Sequence, residues 1–336
     1  MEASFLNRCD PASAALLLRI GAIASTKSFS AYLVGGMVRD VLLGVTSIDP
    51  DIMLEPQAPS LEIGPFVQHL HDTWHGEFPS LAKPSGIVTF PRYGTAKLLF
   101  STALLPGVSV IDFSAARSEY YPEPGKRPVV EPGNMETDLA RRDFSVNAMA
   151  VRLSGTAGGS LVDLYGGKGH LAERKLEILH RWSFHDDPVR LIRAIRLIVR
   201  YRFTLTEETR ALFDEGIQGR LLTTVPIERR FEELKKVFSE ECPLEILAEL
   251  DRYSLLSQFH PALSYSKELA NTLEHLTRSL TERGEANISG WKRVFLALCD
   301  KLNDRQFGTL IEEFRLNKKL ASELRTLRTR LRDNAS

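Results

Sequence analysis

The chain has 336 residues, with 43 Lys and Arg balanced against 43 Asp and Glu. That length holds two or three domains, and 43% hydrophobic with 26% charged residues describes an ordinary folded protein. Zero net charge excludes a global field for nucleic acid, so any RNA surface must come from local basic clusters, and no apolar run is long enough to span a membrane.

The chain opens with a predicted helix over 10–28, capped by Asp10 with Pro11 at its first position. Its start lacks the basic residues of a signal peptide. Cys9, Cys242 and Cys299 lie far apart with no C-x-x-C spacing, which argues against a disulfide framework or a zinc site and fits a reducing cytoplasm.

Residues 32–54, YLVGGMVRDVLLGVTSIDPDIML, carry the first chemical signal. An apolar run ends in Gly35-Gly36, a turn where backbone can approach a ligand. A short helix follows, with Val38, Val41 and Leu42 at helical spacing before Gly44. Residues 48–54 read as a strand on which Asp49 and Asp51 point the same way, roughly 6.5–7 Å apart. Paired carboxylates repel unless a cation neutralises them, and Mg²⁺ takes oxygen ligands. The Gly-Gly turn and the helix behind it offer N–H groups to an anion. A D-x-D pair alone is most often a solvated turn; strand, Gly-Gly, helix with Arg39, then D-x-D is much rarer by chance.

Residues 61–75 read as a helix in which no more than one pair of His69, His71 and His75 shares a face, which speaks for surface or half-buried histidines rather than ligands. RYGTAKLLF (92–100) and VSVIDFSAAR (108–117) alternate like paired strands. Residues 118–136 look irregular. TDLARRDFSVNAMA (137–150) reads as one helix with Leu139, Phe144 and Ala148 on its apolar face and Arg141, Arg142 and Asp143 near its middle. The GGKG within 162–171 lacks the Walker spacing and a following Ser or Thr, so a P-loop is rejected.

FHDDPVRLIRAIRLIVRYRF (184–203) is a strongly two-faced helix. Leu191, Ile192, Ile195, Ile198 and Val199 form one arc, and Arg190, Arg193, Arg196 and Arg200 the opposite one. Four arginines with almost no acid beside them imply an anionic partner. TVPIERRFEELKKVF (224–238) reads as a further helix in which Glu228 and Arg229 are structural. The closing stretch 314–332 carries Arg315, Lys318, Lys319, Arg325, Arg328, Arg330 and Arg332, either a solvated helix end or a phosphate-contacting one.

In order, G-G-x-V-R-D with D-x-D, R-R-D-x-x-x-N-A-x-A and D-D-x-x-R make the chain resemble the class II tRNA nucleotidyltransferase (CCA-adding enzyme) and bacterial poly(A) polymerase family, over roughly residues 30–240. The resemblance implies an α+β fold: a nucleotidyltransferase head with a small mixed β-sheet (1–155), then an all-α neck that selects the nucleotide (156–242) and a helical body or tail that binds tRNA (243–336). It implies template-independent addition of C, A or both from CTP and ATP to the 3′ end of tRNA, with two Mg²⁺ held by Asp49 and Asp51.

By the same resemblance Asp112 is a third carboxylate, a strand-end turn being its other reading. Gly35, Gly36, Arg39, Arg142 and Asp143 bind triphosphate and ribose, and Asn147 supports the loop. Asp187 and Arg190 select the base: an acceptor beside a donor suits C and A and opposes U and G. Arg193 and Arg196 bind the triphosphate or brace that pair. The first acid is Asp186, where many relatives have Glu. The implied partners are tRNA and nucleoside triphosphates, with neither membrane nor protein partner. Poly(A) polymerase and a catalytically idle RNA-binding relative are the alternatives; the choice among CCA, CC and A addition turns on a loop between the D-x-D strand and the R-R-D helix, over residues 55–95.

Overall fold

The computed structural model describes residues 4–45, 50–282 and 288–332, and the chain divides into two compact units. The first comprises residues 1–120 and 128–180, so the sheet-bearing unit runs past residue 155. The second comprises residues 121–127 and 181–336.

The first unit begins as the sequence dictates. Asp10 accepts from Ser13 N–H at 2.9 Å and starts α1 (Pro11–Thr26), with Pro11 at its first position. Then come β1 (Phe29–Val34), α2 (Gly36–Leu42), β2 (Asp51–Pro56), α3 (Ile63–Glu77), β3 (Gly86–Phe90), β4 (Thr95–Leu99) and β5 (Val110–Ala115). A hairpin of β6 (Arg117–Tyr120) and β7 (Val129–Pro132) stands where the sequence looked irregular. The unit closes with α4 (Met135–Ala140), β8 (Met149–Arg152), β9 (Leu161–Asp163), α5 (Gly167–Ala172) and β10 (Lys175–Leu176).

Seven strands form one mixed sheet in the order β3-β4-β5-β2-β1-β8-β9, in which β2 and β5 run parallel. Side-chain alternation divides it into two faces. On one, Phe66 of α3 meets Phe29 of β1 and Phe113 of β5 edge to face at 5.4 and 6.0 Å, and α1 packs beside them. On the other, Tyr32, Val34, Met53 and Ala150 bury against Leu139 of α4. Asp51 alternates with Ile52 and Asp112 with Phe113, so both carboxylates belong to the second face.

The second unit is almost wholly helical: α6 (Ser183–Asp186), α7 (Val189–Tyr201), a short β11 (Thr204–Leu205), α8 (Glu207–Gln218), α9 (Ile227–Phe238), α10 (Pro243–Arg252), α11 (Leu256–Phe259), α12 (Leu269–Glu282), α13 (Gly290–Leu298), α14 (Asp304–Glu313) and α15 (Lys318–Arg332). Phe231 of α9 is a hub, with Trp291, Phe295 and Phe314 ring centroids at 6.3, 5.7 and 5.0 Å. The whole is the α+β arrangement of mixed sheet followed by helices that the sequence led us to expect. Among the described residues, no helix is long and apolar enough to cross a membrane.

Candidate active site

β1 ends at Val34, paired with Asp51 at the start of β2, and Asp51 in turn lies beside Asp112 of β5 in parallel register. Neighbouring strands are about 4.8 Å apart, so the two carboxylates share one end of one sheet face. Lys97 on β4 is in register with Asp112 and places Nζ 2.6 Å from its Oδ1. Asp49 lies outside the described residues, as does the start of the strand expected from residue 48.

Gly35 follows Val34 with φ +76°, and a Cβ there would stand 3.2 Å from Arg142 Nη1 and 3.5 Å from Asp51 Oδ2. Asp51, Gly35 and Arg142 therefore converge. Burial pushes the Asp51 carboxyl up, Asp112 and Asp138 add to the rise, and Arg142 opposes it. A half-buried carboxylate beside two other acids is a place where a cation relieves repulsion. The donor set, all carboxylate oxygen, suits a hard ion such as Mg²⁺. Among the described residues no three potential ligands cluster, and Lys97 already neutralises part of the charge on Asp112.

Arg142 does not sit mid-helix as expected. α4 stops at Ala140, Phe144 is extended, and a 3₁₀ turn spans Ser145–Asn147 before β8. The cause is local: Asp143 Oδ1 takes Phe144 N–H at 2.8 Å and Asn147 Nδ2 at 3.0 Å, bonds that compete with a helix. Asn147 Oδ1 also accepts from Arg39 Nη1 at 2.7 Å, while Arg39 Nε bonds Asp40 at 2.8 Å. Arg39, only 7% exposed, and Asp143 thus brace the turn that carries Arg142. Gly36 is the first residue of α2 and packs against the Arg39 guanidinium.

Asp138, wholly enclosed, was missed by sequence reasoning. Its Oδ1 receives Arg141 at 2.6 and 3.0 Å, and its Oδ2 receives Arg142 Nη2 at 2.9 Å. Burial opposes its ionisation, yet Arg142 and Arg141 outweigh this and hold its pKa below the usual carboxylate value. The i,i+3 and i,i+4 spacing from Asp138 to the two arginines was the available signal.

In the second unit, Asp187 ends the α6 turn and Arg190 lies in the first turn of α7. Arg229 Nη2 reaches both oxygens of Asp187 at 2.8 Å. Arg190 is 4% exposed and donates to Ser183 Oγ at 2.7 Å. The expectation that the arginine face lacks acids is corrected. Glu240, beyond α9, takes Arg196 at 2.6 and 2.9 Å and stands 3.6 Å from Arg200, and Glu233 of α9 lies 3.7 Å from Arg196. Arg196 is therefore a brace between helices. Arg193 is half-buried on α7. The closing basic helix is also partly spent internally: Arg328, 6% exposed, donates to Cys299 O at 2.7 Å, and Arg325 pairs with Glu312.

Residues 31–177 match the poly A polymerase head domain, and residues 202–267 match the family described as "Probable RNA and SrmB-binding site of polymerase A". Those residues of the head belong to the poly A polymerase head-domain family. An A-adding tRNA nucleotidyltransferase of Aquifex aeolicus is 34% identical over 74% of this chain and 28% of its own length. A CC-adding tRNA nucleotidyltransferase of Deinococcus radiodurans is 36% identical over 65% of this chain and 52% of its own. The chain thus spans between about a quarter and a half of those curated relatives. A Thermotoga maritima CCA-adding enzyme complexed with tRNA is similar in structure, with TM-score 0.68 and 27% identity over 96% of this chain and 70% of that one.

Within this head-domain family the sheet, the Gly-Gly turn and the R-R-D turn form a single cluster in this chain. Lys97, Ser183, Arg229 and Glu240 join the motif residues only through the fold.

Proposed function

We propose that this chain adds C, A or both to the 3′ end of tRNA by nucleotidyl transfer from the triphosphates, without a nucleic-acid template. One observation carries the reading: carboxylates of Asp51 and Asp112 stand at the sheet end where Gly35 leaves backbone open beside the Arg142 guanidinium. Carboxylates for a cation next to a cationic, side-chain-free turn suit a metal-bound triphosphate. The A-adding and CC-adding relatives and the likeness to a tRNA-bound enzyme support it.

Asp49 and Asp51, together with Asp112, would hold Mg²⁺, which when bound supplies activation of the RNA 3′-hydroxyl and charge neutralisation on the pyrophosphate. The hydroxyl oxygen bonds the α-phosphorus as the α–β bridge breaks, pyrophosphate leaves, and the hydroxyl proton passes to solvent. Arg142, locked by Asp138, orients the triphosphate, and Gly35 and Gly36 admit its oxygens to the backbone. Arg39, Asp143 and Asn147 keep that turn in place. In the helical unit, Asp187 accepts from the exocyclic amino group of C or A, and an arginine donates to the ring nitrogen; the sequence motif gives that second role to Arg190. Uracil and guanine offer the reversed polarity. Arg193 and Arg196 brace the pair. We assign catalysis to residues 1–155, base choice to 156–242 and the grip on tRNA to 243–336.

The deciding experiment supplies labelled CTP and ATP with tRNAs ending at the discriminator base, at C and at CC. Extension of one or more of them is expected, and the pattern reports CCA, CC or A addition. Long homopolymer tails from ATP alone would mark a poly(A) polymerase instead. No incorporation on any acceptor would sink the reading.

A further inference from the structure

We infer that Phe90 and Tyr93 form a stacking platform for the unpaired 3′ nucleotides of the RNA acceptor, at the open end of the sheet face that carries the carboxylates. The inference rests on the proposed function and adds to it a place for the acceptor strand.

Strand register puts the platform and the carboxylates on one surface, because residues directly opposite in a ladder share a face. Asp51 pairs with Asp112, Asp112 with Lys97 and Lys97 with Val88, so these four side chains make one row across β2, β5, β4 and β3. Met53, Ser114, Thr95 and Phe90 make the next row on the same face. At β1 and β2 that face is closed, with Tyr32, Val34 and Met53 buried against Leu139 of α4. At β3 it stays open: Val88 is 37% and Phe90 44% exposed. Thr89, between them, turns the other way, and a Cβ on Gly64 of α3 would stand 3.9 Å from its methyl. Single exposed apolar residues are ordinary; two on one face of an edge strand, followed by an exposed aromatic, mark a contact surface.

The turn that follows is fixed. Gly94 N–H donates to Pro91 O at 3.0 Å, Ala115 N–H donates to Gly94 O at 2.7 Å, and Arg117 Nη1 donates to Tyr93 O at 2.8 Å. The Tyr93 ring is left exposed, with the Arg92 guanidinium 6.0 Å from its centroid.

Charge and distance select the partner. Lys97 lies across the ladder from Val88, and Arg92 follows Phe90 by two residues. Aromatic rings set among cations suit single-stranded RNA, whose bases stack while its phosphates meet the charge. Neighbouring strands are about 4.8 Å apart, so the β3 row stands about 10 Å from Asp112. Stacked nucleotides rise about 3.4 Å each, so a strand whose 3′-hydroxyl reaches the carboxylates lays its last three or so bases over β4 and β3.

The test separates RNA binding from chemistry. Fluorescence anisotropy in EDTA reads the affinity for a tRNA acceptor minihelix ending in unpaired CC, and for the same minihelix with abasic sites at those two positions. The proteins are the parent, Phe90→Ala, Phe90→Leu, Phe90→Trp and Tyr93→Ala, each also melted thermally. Removing an aromatic platform weakens binding roughly five- to a hundredfold per stacked base. Phe90→Ala and Tyr93→Ala should lose that much affinity for the CC minihelix and none for the abasic one. Phe90→Leu, which keeps apolar bulk without a π-face, should lose it too, and Phe90→Trp should keep it. All should melt near the parent, these side chains being exposed; should the alanine variant not fold, Phe90→Leu decides. A parent that binds both RNAs equally overturns the platform, as does unchanged affinity in Phe90→Leu or equal weakening of both RNAs. A variant with parental RNA affinity but altered mass by light scattering gives the edge strand to a second copy of the chain, and overturns it as well. Labelled-CTP incorporation by the parent keeps the two readings apart. Base-dependent RNA binding without incorporation overturns the activity alone, and incorporation without it overturns the platform alone.

Discussion

Arg142 Nη2 donates to Asp138 Oδ2 at 2.9 Å while its Nη1 stands 3.2 Å from where a Cβ on Gly35 would be. One enclosed acid thus orients the guanidinium that faces Asp51. Asp138→Asn should cost about 3 kcal/mol at neutral pH, because it leaves two arginines short of a counter-charge. The pH sign follows from the lowered pKa of Asp138, whose ordinary value is 3.8. Its contribution is complete above that value and is lost as pH falls through the lower folded pKa. The gap in stability between parent and Asn variant should therefore be constant from neutrality down to about pH 5 and close below it. Chemical denaturation across that range checks this.

Gly35→Ala should lose both stability and turnover. At φ +76° an alanine is strained whatever the space, and its methyl would stand 3.2 Å from Arg142. The expected cost is about 1–3 kcal/mol, read by urea denaturation, with a larger fall in kcat/KM for nucleotide than the fold loss explains.

Asp51→Asn should drop incorporation by about a thousandfold or more, a neutral amide being a poor ligand for a hard cation and a poor match to developing charge. The melting temperature measured without divalent ions should not fall, since burial disfavours the charged form that the substitution removes. tRNA affinity by filter binding should stay at the parent value. Turnover close to the parent would refute the role of Asp51.

Glu240→Gln should lower stability by about 1 kcal/mol, since the amide keeps an acceptor for Arg196 but loses the charge. In that background Arg196→Met should cost less than it does in the parent, the two changes being non-additive because both act on the contact at 2.6 and 2.9 Å. Additive losses would mean that Arg196 works outside this pair.

The parts of the fold with local causes were legible. Asp10-Pro11 announced α1, and alternation announced β4 and β5, because capping and pleat act within a few residues. The candidate site residues were named from short motifs for the same reason. What escaped depends on distant chain or on competition between bonds. Residues 137–150 have helical apolar spacing, yet Asp143 and Asn147 satisfy each other and the next N–H, which ends the helix at Ala140. The arginine arc of α7 looked unpaired because Glu233 and Glu240 arrive some forty residues later. Lys97 was invisible for a similar reason: nothing in TAKLL says that its neighbour across the ladder is Asp112. The Asp49 half of the D-x-D expectation falls outside the described residues.

The parallel pairing of β2 with β5 gives the molecule a timetable. β1 and β2 are near neighbours along the chain and can zip early, but Asp51 meets Asp112 only after everything between Pro56 and Val110, α3 included, has been laid down. Pairings of that reach are slow to form. A refolding chain should hence regain helix content before Asp51 and Asp112 come to share one end of the sheet face.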